Sequence, residues 1–89
     1  MVQTISITIS GKVQGVFFRQ STREKARKLN ITGTVSNQRD GSVQIVATGP
    51  KEQLDVLINW CRKGPSKAKV DNLVTMELPF REFKDFMIV

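Results

Sequence analysis

The 89 residues contain no histidine and no tyrosine, one cysteine (Cys61), one tryptophan (Trp60) and three prolines. Each shortage removes a class of function. Without histidine the usual zinc-ligand sets cannot be assembled, and the side chain whose pKa lies nearest neutrality is missing, together with every catalytic triad that uses it as base. A lone cysteine forms no internal disulfide. No apolar run approaches the roughly 18 residues that a membrane span needs, and Met1-Val2-Gln3-Thr4 lacks the basic and apolar regions of a signal peptide. The chain is expected to be a soluble, cytoplasmic monomer with no membrane partner, metal or cofactor. Residues 1–89 are too few for a second core and read as one domain.

Acidic residues are scarce in the first part of the chain. Residues 1–39 hold Lys12, Arg19, Arg23, Lys25, Arg27, Lys28 and Arg39 against Glu24 alone, which accounts for the whole net charge of +6. Arg23 to Lys28 read first as the solvated face of a helix; the sharper alternative for the excess is an anionic ligand bound in this half.

Polar and apolar residues alternate without a break over Thr4 to Ser10, so Ile5, Ile7 and Ile9 form the core face of a strand. Gly11 ends it. A glycine-containing loop follows, then Phe18, Thr22, Ala26 and Leu29 at helical spacing, with Asn30 and Gly33 near the stop. Gly33 to Asn37 and Ser42 to Thr48 flank Gln38-Arg39-Asp40-Gly41, a hairpin whose Asp-Gly supplies the positive φ of a tight reversal. Gly49-Pro50 opens a second helix with an apolar stripe of Leu54, Leu57, Ile58 and Cys61, and Lys63-Gly64-Pro65 closes it. Val70 to Leu78 and Phe83 to Val89 are two further strands. This order predicts an α+β, ferredoxin-like split βαβ sandwich, with two helices on one face of a mainly antiparallel sheet of four or five strands.

Two places carry candidate chemistry. Gly11 to Arg19 joins a strand to a helix start, so consecutive backbone amides around Gly15 can surround a tetrahedral anion, and Arg19 can grip two of its oxygens. The alternative is a glycine that only eases a turn and an Arg19 that pairs with a nearby carboxylate. Asn37 shares a strand face with Val35, and the parallel first and second strands bring it to the loop's end of the sheet. Its alternative role is to bond its own hairpin backbone. Cys61 and Trp60, with Phe80, Phe83 and Phe86, read as core or edge cover.

Gly11-Lys12-Val13-Gln14-Gly15-Val16-Phe17-Phe18-Arg19 resembles the acylphosphatase signature G-x-V-Q-G-V-x-F-R. Gly33 to Val43 resembles the family's second signature, with Thr34 in place of an aromatic and Ser36 in place of a basic residue; Trp60 to Pro65 and Ala68 to Asp71 are also similar. The resemblance implies metal-free hydrolysis of small-molecule acyl phosphates, with phosphate or sulfate as product-like ligands. It implies that Arg19 and the amides of Gly15, Val16, Phe17 and Phe18 hold the phosphoryl group, and that Asn37 places the attacking water. An Asp40 carboxylate is the alternative proton acceptor to the substrate itself. Two rival functions are a catalytically silent regulatory domain and an RNA-binding module, but Ser42 to Thr48 lacks the aromatics that an RNA-recognition sheet displays.

Overall fold

The computed structural model describes all of residues 1–89. Seven elements follow in order: β1 (Val2–Lys12), α1 (Phe18–Lys28), β2 (Thr32–Asn37), β3 (Val43–Pro50), α2 (Lys51–Cys61), β4 (Lys69–Leu78) and β5 (Phe86–Ile88). The sheet runs β4-β1-β3-β2-β5, antiparallel except for the β2–β5 pair. Because β1 and β2 each run antiparallel to β3, they are parallel to one another. Both helices pack on one face, and Phe18, Ala26, Leu54, Leu57 and Cys61 join Ile5, Ile7, Ile9, Val35 and Ile45 in a single core. The expected α+β sandwich is the one observed, with five strands.

Local chemistry fixes the element ends. Helix α1 stops in a Schellman arrangement: Asn30 takes φ 57°, the Ile31 amide donates to the Ala26 carbonyl at 2.9 Å, and Ile31 is buried. At the start of α2, Pro50 is extended and still pairs with Val2, so it precedes the helix instead of occupying its first turn as the sequence suggests. The far end also differs from expectation, because α2 stops at Cys61 and Lys63 lies beyond its last turn.

The last strand is shorter than the pattern over Phe83 to Val89 predicts. Strands β4 and β5 lie on opposite edges, so residues 79–85 must cross the sheet before β5 can begin. They cross on the face away from the helices. There the Arg81 amide donates to Thr4 Oγ1 at 2.9 Å, and Thr48 Oγ1 donates to the Arg81 carbonyl at 2.8 Å. The two hydroxyl oxygens lie 2.7 Å apart, which lets the Thr4 hydroxyl donate to Thr48 and complete the chain of bonds. Thr4 and Ser6 are consequently buried, although the alternating pattern alone would leave that face in water.

Candidate functional site

The loop between β1 and α1 is fastened by its apolar side chains. Val13, Val16 and Phe18 are buried, and the Phe18 ring meets Trp60 edge-on at 5.7 Å between centroids. Trp60 is thus partly buried cover over the core, and Phe86 is fully buried; Phe80, by contrast, is exposed and not part of the core. Between the fixed points, Gly15 and Phe17 adopt positive φ, 74° and 64°. Glycine does so freely, whereas a phenylalanine in the left-handed region costs about 1–2 kcal/mol.

These turns leave a run of backbone donors without acceptors. Phe17 stands at the N-cap of α1 without a side-chain cap bond, and no acidic residue occupies the first turn. None of the amides from Gly15 to Gln20 donates to a protein acceptor, since the first bond of this stretch is from Ser21 to the Phe17 carbonyl. Donors at a helix start carry partial positive charge and suit an anion.

Gly15, Phe17 and Arg19 line one cleft of about 310 Å³ together with Asn37. The sequence-predicted loop and strand end therefore come together. Arg19 is half-buried and meets no carboxylate, because the protein's ion pairs are Arg27–Asp85 and Lys51–Asp55. Its guanidinium is free for a ligand. Asn37 does not bond its hairpin either. The turn is held by the Gln38 amide on the Ser42 carbonyl at 2.8 Å and by Asp40 Oδ1, which accepts from the Ser42 amide at 2.9 Å and the Ser42 hydroxyl at 2.6 Å. The Ser42 hydroxyl and amide hold the Asp40 carboxyl below its ordinary value.

Val16 and Phe18 turn their side chains into the core, so these two residues can offer only their amides to the cleft. The basic stretch of α1 is largely solvated, and Arg27 in its last turn clasps Asp85 through Nε and a terminal nitrogen at 3.2 and 2.9 Å. Cys61 is buried and its thiol is pushed up to about 12 by desolvation, which makes it a packing residue and no nucleophile.

Sequence reasoning gave no role to Gln14, Val13, Gln20 or Ile88. Gln14 Nε2 donates to the Gln38 carbonyl at 2.8 Å and the Ser42 carbonyl at 3.0 Å, which ties the amide loop directly to the hairpin that carries Asn37. Ile88 enters the cleft because β5 pairs in parallel with β2, placing it opposite Val35, two residues before Asn37. The short alternation of Phe86 inward and Met87 outward was the available signal for it.

The acylphosphatase family model matches residues 5–88. An acylphosphatase of Marinobacter nauticus is 52% identical over 81 residues, covering 90% of this chain and 88% of that protein. The acylphosphatase of Coxiella burnetii is 43% identical over 84 residues, covering 94% and 88% respectively. Among solved structures, an acylphosphatase from Coxiella burnetii superposes with a TM-score of 0.96 at 41% identity, covering 99% of this chain and 93% of that one. The acylphosphatase from Bacillus subtilis superposes with a TM-score of 0.94 at 32% identity, covering 100% and 99%. A family match over nearly every residue, joined to a cleft built from the same signature, means that the chain belongs to the acylphosphatase family.

Proposed function

We propose that the chain hydrolyses acyl phosphates, mixed carboxylic-phosphoric anhydrides, to a carboxylate and inorganic phosphate by attack of water at phosphorus. Arg19 and the amides of Gly15 to Phe18 hold the phosphoryl oxygens, and Asn37 positions the water. The observation that carries this reading is the convergence, in one cleft, of unpaired amides, an unpaired guanidinium and a free carboxamide. Such donors are matched to charge that grows on phosphoryl oxygens in the transition state. As the water oxygen bonds to phosphorus, the acyl oxygen–phosphorus bond breaks and its electron pair leaves with the carboxylate. One water proton passes to a phosphoryl oxygen, so no side-chain base is required. The reading asks no metal of the chain, in which no three Asp, Glu or Cys side chains come together as a ligand set.

Hydrolysis of benzoyl phosphate, with inorganic phosphate as competitor and after prolonged chelation, tests this directly. Arg19→Ala is expected to weaken phosphate binding and lower turnover together. Asn37→Ala is expected to lower turnover by about 10²-fold, the scale of a lost positioning contact, and leave phosphate affinity nearly unchanged. Identical phenotypes would contradict the division of roles, and activity restored only by added metal would contradict the metal-free reaction.

A further inference from the structure

We propose that Phe17 selects the acyl group: its ring, with Ile88 in the same cleft lining, forms an apolar wall that favours aromatic acyl phosphates over short aliphatic ones. This rests on the acyl phosphate reading and deepens it to a substrate class. The lining of the cleft is of two kinds. Arg19, Asn37 and the free amides are polar, and the phosphoryl group they hold fills only part of about 310 Å³. Val13, Phe17 and Ile88 are apolar, and the remaining side chain, Gln20, is uncharged. With Arg19 committed to the phosphoryl group, no other charged side chain of the lining would pair with a charged acyl group. An anhydride anchored by its phosphoryl end must direct its acyl end along the remaining lining.

The fold does not account for the Phe17 side chain. Phe18 and Phe86 are buried, yet Phe17 is 65% exposed, so its ring contributes little to the core. Its backbone, at φ 64°, is one that glycine or asparagine adopts with less strain. An exposed aromatic held in an unfavourable backbone conformation at the rim of a cleft is an observation from which function is inferred, and the face it offers is flat and apolar. A benzoyl ring can pack on it edge-on or offset; an acetyl methyl group covers little of it.

The test compares kcat/KM for benzoyl phosphate and acetyl phosphate in the unmodified protein, Phe17→Leu and Phe17→Ala. Both substrates share the phosphoryl end, so any damage to the amide loop lowers both, and the difference in their intrinsic reactivity cancels when ratios are compared between variants. The benzoyl-to-acetyl ratio is expected to fall about 3- to 10-fold in Phe17→Ala, the scale of one lost aromatic contact, with Phe17→Leu between. If both substrates are hydrolysed and the ratio does not change, the wall is refuted and Phe17 acts only through its backbone. If the unmodified protein hydrolyses neither substrate, the acyl phosphate reading fails and takes the wall with it.

Discussion

Replacing Gln14 with leucine would cut the only side-chain tie between the amide loop and the Asn37 hairpin while keeping much of the side chain's bulk. Two hydrogen bonds are lost, to the carbonyls of Gln38 and Ser42. Neither carbonyl is orphaned, since Gln38 still accepts from the Gly41 amide at 3.1 Å and Ser42 from the Gln38 amide at 2.8 Å. The cost is therefore the net value of two bonds in a half-buried place, about 1–2 kcal/mol. For a domain of this size that lowers Tm by about 4–16 °C. The effect on turnover should exceed the effect on stability. Without the tie, loop and hairpin no longer share a fixed separation, and a misplacement near 1 Å costs about 10²-fold in rate. Gln14→Leu is thus expected to lose about 10- to 10²-fold in kcat for benzoyl phosphate, while competitive inhibition by phosphate changes far less, because Val16 and Phe18 still anchor the loop itself. Thermal melting by circular dichroism confirms that the variant is folded at the assay temperature. A folded Gln14→Leu protein with unaltered kcat would refute the coupling, and one that loses phosphate binding as severely as turnover would make Gln14 a direct ligand.

Three further outcomes follow from the geometry. Asp40→Asn should retain most of its turnover, because the carboxyl already serves Ser42 and an amide oxygen accepts the same bonds; a loss as deep as that of Asn37→Ala would instead mark Asp40 as the base. Gly64→Ala should melt lower by an amount corresponding to about 1–3 kcal/mol and bind phosphate more weakly, since the residue has φ +70° and a new Cβ would stand 2.5 Å from the Phe18 ring; unchanged melting and binding would refute that link. Stability should fall on acidification: Asp40, bonded by Ser42, and Asp85, bonded by the Phe86 amide and Arg27, both titrate below their ordinary 3.8. A depressed carboxyl stabilises the fold above its unfolded value and loses that contribution as pH falls through its folded one, so a urea midpoint that held constant down to about pH 3 would contradict it.

The core-facing pattern of this sequence is clear where a periodic segment keeps its apolar residues on one face. Ile5, Ile7 and Ile9 on β1 and Leu54, Leu57 and Cys61 on α2 all lie where periodicity puts them. Arg19 and Asn37 were legible as a pair from topology, since parallel β1 and β2 deliver the loop and the strand end to one place. What was not legible lies in contacts between distant segments. The burial of Thr4 depends on Arg81, which pattern cannot show because a threonine on a half-polar strand reads as solvated. Gln14 was visible as a letter of a motif, but its bonds are to main-chain carbonyls, which leave no mark on the residues that supply them. Ile88 required knowing that β5 reaches the far edge of the sheet, a path set by the crossing of residues 79–85.

That crossing bears on the order in which the molecule comes together. The Arg81 main chain closes on Thr4, 77 residues earlier, and β1 pairs with the edge strand β4 along most of its length, so this side of the sheet is stitched from segments far apart in the chain. Contacts of such separation must overcome a large loop-closure entropy before they stabilise anything, which places folding toward the slow end for a small domain. Synthesis reaches the crossing late, after the segments of both helices and four strands. During that interval Thr4 and Thr48 lack the main chain that later satisfies them, and the cleft lacks Ile88. The cleft is therefore complete only once the last segment of the chain has crossed the sheet and brought Ile88 to join Arg19 and Asn37.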